Sequence, residues 1–154
     1  MTRPKVGISR CLLGDAVRYD GGHKRNKTIL HALGPQVDWV AVCPEVEIGM
    51  STPREPIQLI PGRDGVHMIG LESGNDWTLP MRHFSTRRVA ELAALRLSGY
   101  ILKSGSPSCG LEGPGLFARA LLDAMPALPI EDEMRLQDPI VRDGFIARVL
   151  AYRG

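Results

Sequence analysis

Val6-Gly7-Ile8-Ser9 ends two residues before Cys11, and Trp39-Val40-Ala41-Val42 ends at Cys43. Both runs have the short length and β-branched content of buried strands. A third run, Tyr100-Ile101-Leu102-Lys103, leads into the turn-rich Ser104-Gly105-Ser106-Pro107-Ser108-Cys109-Gly110. Each of the three cysteines therefore follows a predicted strand. Between the strands the sequence predicts helices, one over Lys27 to Leu33 before Gly34-Pro35 and a longer one from about Met81 to Ser98, closed by Gly99. Strand and helix in alternation give an α/β fold with an open, mostly parallel sheet. In such sheets the ligand crevice lies outside the carboxyl ends of the strands, so cysteines far apart in sequence can share one site.

Outward from these runs, Ile57 to Ile60, Arg63-Asp64-Gly65 and Val66 to Leu71 read as a hairpin added to the sheet, since Asp-Gly is a strong tight-turn signal. Along the Met81 helix, Met81, Phe84, Val89, Leu92 and Leu95 share a stripe that also contains Arg88, and an arginine there requires a partner. The last helix begins with Asp138 as N-cap and Pro139 at the first helical position, with Val141, Phe145, Val149 and Tyr152 on one face. The expected architecture is a single domain over residues 1–154, a Rossmann-like three-layer arrangement with helices flanking the sheet.

At 154 residues, 44% hydrophobic and 23% charged, the chain has the make-up of one globular domain, and no apolar run reaches membrane-spanning length. The N-terminus lacks the apolar stretch of a secretory signal, so the expected location is the cytoplasm. Nineteen basic against 17 acidic residues, a net charge of +2, is too balanced for a protein that wraps a nucleic-acid backbone, although a local basic patch is compatible with it.

Three cysteines are an odd number, and none belongs to a Cys-x-x-Cys pair. In a reducing compartment this leaves buried structural thiols, one catalytic thiol, or three ligands gathered by the fold. The Cys11 segment is followed by Arg18, Lys24, Arg25 and Lys27 around the Asp20-Gly21-Gly22 turn, as a phosphate or nucleotide pocket requires, or as a solvated basic loop. After Cys43, Pro44 fixes the backbone and Glu45 stands two residues past the thiol, placed to act as acid or base; Glu47 is the weaker candidate. Around Cys109, three hydroxyls, several backbone N–H groups and the Lys103 cation surround one thiol, donors that sulfur clusters and oxyanions both require. Three thiolates on a cubane would leave one iron open as a Lewis acid, and zinc held by three Cys with His23, His31, His67 or His83 is the other metal reading.

Cys11-Leu12-Leu13-Gly14 with Arg18-Tyr19-Asp20-Gly21, then Cys43-Pro44-Glu45-Val46, then Ser106-Pro107-Ser108-Cys109-Gly110, taken in this order, resemble the thiouracil desulfidase family, long catalogued as a domain of unknown function. The resemblance covers nearly the whole chain. It implies a 4Fe-4S cluster held by Cys11, Cys43 and Cys109 with one open iron that binds the substrate's sulfur. It also implies non-redox desulfuration of thiolated uracil derivatives, such as 2-thiouracil, 4-thiouridine or its monophosphate, with hydrogen sulfide released. Glu45 and Ser106 match the family's proton-handling positions, and Arg18, Tyr19, Asp20, Lys103 and Ser108 are the expected substrate contacts. The longer wording around Asp20 to Arg25, Glu45 to Gly49 and Pro129 to Pro139 is closest to a branch linked to 4-thiouridine in transfer RNA. The expected partner is a thiolated pyrimidine base or nucleotide, with tRNA as a further candidate, no membrane, and a monomeric state. The short passage from Cys109-Gly110-Leu111-Glu112 to Gly113-Pro114, where relatives carry a longer loop, is expected to widen the pocket.

A second reading is a metal-stabilised RNA-binding module using the Lys24 to Lys27 tract, for which aromatic residues, 5% of the chain, are scarce. A cysteine hydrolase is the third, and it leaves two thiols unexplained.

Overall fold

The computed structural model describes residues 3–111 and 114–152. In chain order the elements are β1 (Lys5–Ser9), α1 (Lys27–Leu33), β2 (Asp38–Val42), α2 (Pro44–Glu47), β3 (Ile57–Gly62), β4 (Gly65–Gly70), α3 (Thr78–Ala94), β5 (Gly99–Leu102), α4 (Leu116–Ala124), β6 (Ile130–Asp132) and α5 (Pro139–Ala151). Strands β1, β2, β5 and β6 form one parallel sheet in the order β2-β1-β5-β6. The expected open α/β sheet flanked by helices is therefore present.

Strand alternation sorts the core into two layers. Val6, Ile8 and Ile101 point to one face and pack with Ile29 and Leu33 of α1 and with Phe145 and Val149 of α5. Tyr100 and Leu102 point to the other and pack with Phe84 and Leu92 of α3, Phe117 and Leu121 of α4, and Met68 of the hairpin. Gly7 sits opposite Tyr100 in the β1–β5 register. A Cβ there would come within 2.3 Å of the Tyr100 ring, so the missing side chain is what lets the ring lie over β1.

Several expectations require correction. The hairpin of β3 and β4 does not extend the main sheet; it forms a separate two-stranded antiparallel sheet whose Met68 and Leu59 pack onto the α3 side. Helix α3 runs from Thr78 to Ala94, earlier at both ends than expected. Arg96, with φ 58°, takes the left-handed conformation after the helix, and Gly99 opens β5 instead, where a Cβ would meet Val149 at 2.7 Å. Tyr152 lies past the end of α5 and packs on the opposite cluster from Phe145 and Val149. Arg88 has the partners it required, with Nε 3.2 Å from Glu47 Oε1 and Nη1 3.1 Å from Glu91 Oε2. The Glu47 contact is an ion pair without hydrogen-bond alignment. No described helix is long and apolar enough to cross a membrane.

Candidate functional site

The chain leaves β1 in the middle of the sheet, passes to β2 on one side, and later places β5 on the other side of β1. The ends of β1 and β5 thus flank a topological switch point, where open α/β sheets bind ligands. Lys103 N–H donates to Ser9 Oγ at 3.0 Å across this junction. Cys11 follows β1 in a short helical turn, Cys43 caps α2 directly after β2, and Cys109 lies in the turn-rich segment after β5. All three are free thiols, and all three line one cavity of about 250 Å³.

Of the residues expected at the site, Arg18, Tyr19, Glu45, Lys103, Ser106 and Ser108 are on the cavity wall with the cysteines. Asp20 is not. Its carboxylate closes the Asp-Gly-Gly turn by accepting Gly22 N–H at 2.9 Å and pairing with Arg18 at 3.3 Å. None of the four histidines lines the cavity. Glu112 and Gly113, which carry the expected loop departure, lie outside the described residues.

The hydroxyl groups beside Cys109 have a definite direction. Ser106 Oγ accepts the backbone N–H groups of Ser108 at 3.1 Å and Cys109 at 3.0 Å, which fixes the turn. Ser108 Oγ donates to Glu45 Oε2 at 3.1 Å. With its one hydrogen so used, Ser108 must accept from Ser106 Oγ at 3.0 Å. A hydrogen-bonded row therefore runs from Ser106 through Ser108 to Glu45, joining loops 63 residues apart. Glu45, 8% exposed, is held on its other oxygen by Arg54 Nε at 2.9 Å. Glu47 reaches back from α2 to accept Cys43 N–H at 2.9 Å and braces the strand end against Arg88.

Sequence reading missed Arg54, Ser9 and Glu133. Glu133 is buried and binds Lys103 Nζ at 3.1 Å and Ser104 N–H at 2.6 Å. The Lys103 ammonium also donates to Ser104 O at 2.7 Å and to Ser104 Oγ at 3.4 Å. The rigid Thr52-Pro53-Arg54-Glu55-Pro56 run was the one signal for Arg54.

The donor set suits a metal-sulfur group. Burial pushes the Cys109 thiol up to about 12 and the Cys11 thiol to about 11, and raises Cys43 as well. Thiolates in such a setting require a compensating cationic centre, which bound metal supplies. The Ser9 hydroxyl lowers the Cys109 value by hydrogen bonding, Lys103 and Arg18 favour a Cys11 thiolate, and Arg54 and Arg10 a Cys43 thiolate. Among the described residues no three His, Cys, Asp or Glu side chains are placed to share a single ion. The buried Tyr100 hydroxyl has no hydrogen-bond partner, and after burial itself a Cys109 thiolate has the largest electrostatic influence on it.

The fold and site define an α/β protein with three free thiols at a switch-point cavity. The chain belongs to the 2-thiouracil desulfurase family, whose model matches residues 6–133. A solved structure described as the 4Fe-4S-dependent thiouracil desulfidase TudS superposes with a TM-score of 0.72 at 32% identity, covering 94% of this chain and 99% of that one. The uncharacterized protein YbbK of Bacillus subtilis (strain 168) is 36% identical over 108 residues, 67% of this chain and 71% of its own length.

Proposed function

We propose that the protein is a 4Fe-4S-dependent desulfidase that converts thiolated uracil derivatives to the oxygen forms and hydrogen sulfide without net redox change. The observation that carries this reading is the meeting of three strand-end thiols on one cavity wall with the Glu45–Ser108–Ser106 row. Cys11, Cys43 and Cys109 would hold the cluster. A cluster bound by three thiolates supplies an open Lewis-acidic iron for a thiocarbonyl sulfur.

The chain's own residues handle protons and position the substrate. The reaction replaces sulfur by the oxygen of water, so water must lose protons while the departing sulfide gains them. Glu45 on the cavity wall takes the proton from water as it attacks the ring carbon. Once Glu45 is protonated, the Ser108 and Ser106 hydroxyls turn to point away from it and pass the proton towards the sulfur. The second proton of water follows the same row when the ring C–OH becomes the carbonyl, so both protons end on the sulfide and Glu45 ends as the carboxylate. Tyr19, 41% exposed at the cavity and backed by Arg18 at 5.6 Å from its ring centroid, offers a face for a planar base. Ser108 and Lys103, already engaged by protein groups, would shape this pocket as much as touch the substrate.

Beyond 2-thiouracil we include 4-thiouridine and its monophosphate as substrates, with thiolated tRNA as a macromolecular candidate. Lys24, Arg25 and Lys27 support this extension, since they are exposed and form no ion pair among the described residues. Lys24 N–H donates to Cys11 O at 2.9 Å, which keeps this basic run beside the cavity. Three free thiols suit a reducing, cytoplasmic setting, and a monomer suffices because one chain supplies every wall.

The test is anaerobic reconstitution with iron and sulfide, followed by measurement of sulfide released from 2-thiouracil, 4-thiouridine, its monophosphate and thiolated tRNA. A brown protein with about four irons per chain and turnover of at least one substrate is expected. A colourless protein that binds no iron under these conditions overturns the reading.

A further inference from the structure

We infer that Arg54 is a positioning residue that fixes the Glu45 carboxylate on Ser108 and ties it to the Tyr19 rim of the cavity. Arg54 has a side chain only 6% exposed, yet it stands between two loops and carries four side-chain contacts. Nε donates to Glu45 Oε1 at 2.9 Å and an Nη2 hydrogen to Val17 O at 2.9 Å. The other terminal nitrogen donates to Ser51 O at 3.3 Å and Thr52 Oγ1 at 3.2 Å. Its backbone N–H donates to Tyr19 O at 2.6 Å.

These contacts do separate things. The Ser51 and Thr52 contacts orient the guanidinium plane. With that plane fixed, the bond to Oε1 sets the carboxylate so that Oε2 faces Ser108. The Val17 and Tyr19 contacts bind the loop after Cys11 to the same residue, and Val17 O is also the atom 4.0 Å from Cys43 Sγ. One residue thus registers three parts of the cavity: its planar guanidinium holds the proton-handling carboxylate and, through Val17 O, the Cys43 thiol, while its backbone N–H holds the rim at Tyr19. A lysine ammonium is a point charge and cannot make this fork. The role of Glu45 in catalysis rests on the function proposed above; its placement by Arg54 does not.

The experiment uses the full chain, loaded anaerobically, as wild type, Arg54→Lys, Glu45→Gln and the double variant. Arg54→Lys is expected to keep its iron content and thermal midpoint while kcat falls about ten- to a hundred-fold and KM changes much less. In the Glu45→Gln background the same change is expected to have almost no further effect, because both act through one carboxylate. Additive losses, or an unchanged kcat, overturn the inference. A crystal structure of Arg54→Lys supplies a readout independent of turnover: Glu45 Oε2 should leave Ser108 Oγ, and a retained contact near 3.1 Å overturns the inference even if wild type proves inactive. Inactive wild type with a displaced Glu45 instead removes the function and keeps the positioning role. If Arg54→Lys fails to fold, Arg54→Gln, which retains hydrogen-bonding capacity without charge, is read in the same ways.

Discussion

Glu133 Oε2 lies 3.1 Å from Lys103 Nζ, and the other oxygen of the same carboxylate accepts Ser104 N–H at 2.6 Å. The buried acid just past β6 therefore holds the start of the loop that carries Ser106, Ser108 and Cys109. Glu133→Ala leaves the Lys103 ammonium, 20% exposed, with Ser104 alone. Removing one partner of a fully buried pair costs about 3–5 kcal/mol, and partial exposure puts this case at the low end. Urea melts of the metal-free protein should show the loss, and Glu133→Gln should recover part of it.

Serine at Cys11, Cys43 or Cys109 in turn should leave a folded protein that fails to retain a full complement of iron. Circular dichroism should match wild type, because the sheet is packed mainly by Val6, Ile8, Tyr100, Ile101 and Leu102, and serine keeps the size of the Cys11 and Cys109 side chains in those clusters. Full iron retention by all three variants would remove the cysteines as ligands.

Gly115 is the N-cap of α4, and a Cβ on it would come within 2.4 Å of Ser108 C and 2.7 Å of Pro107 O. These are backbone atoms and cannot rotate aside. Gly115→Ala should cost roughly 1–3 kcal/mol in thermal or urea melts, as overpacking does, and should lower sulfide release more than a distant variant of equal stability.

The unpartnered hydroxyl of Tyr100 predicts that its removal is tolerated. Tyr100→Phe should be neutral or stabilising by about 1 kcal/mol, because a buried polar group without a partner is removed. Urea melts of wild type and variant decide it, and a loss of stability would show that the hydroxyl has a partner.

His67 supplies a pH-dependent contact away from the cavity. Hydrogen bonds to Asp64 at 2.7 Å and Asp76 at 3.3 Å raise its value above 6.5, and the two aspartates are lowered from 3.8. The imidazolium's contribution to hairpin stability is thus complete below about 6.5 and is lost as pH rises through the raised value. On the acid side, the aspartates lose theirs as pH falls through values below 3.8. An NMR titration of the His67 ring should show a midpoint above 6.5 that moves down in Asp64→Asn.

The three strands before the cysteines were readable because Val6-Gly7-Ile8, Trp39 to Val42 and Tyr100-Ile101-Leu102 are short apolar runs, and the switch-point rule then joined the thiols. Strand β6 was not readable. Its Glu131 and Asp132, with Glu133 after them, resemble a solvated acidic turn, yet all three are buried. Arg135 Nε meets Glu131 at 3.0 Å, Arg135 N–H meets Asp132 at 2.8 Å, and Lys103 meets Glu133. Helix α4 was not readable either: Phe117, Ala118 and Leu121 have helical spacing, but the run is short and follows Gly113-Pro114-Gly115, whose residues favour a turn. Arg54 and Ser9 act through partners 37 and 94 residues away, distances that no local pattern encodes.

The junction of Ser9 with Lys103 has a consequence for biogenesis. The cavity has no floor on one side until β5 docks beside β1, and its last wall segment is made only when Cys109 has left the ribosome. Translation therefore exposes Cys11 and Cys43 for the time needed to synthesise the intervening 66 residues before the third thiol exists. During that interval no three-thiol site exists, so a group held by all three cysteines can be complete only after residue 109 has been made and β5 has paired with β1.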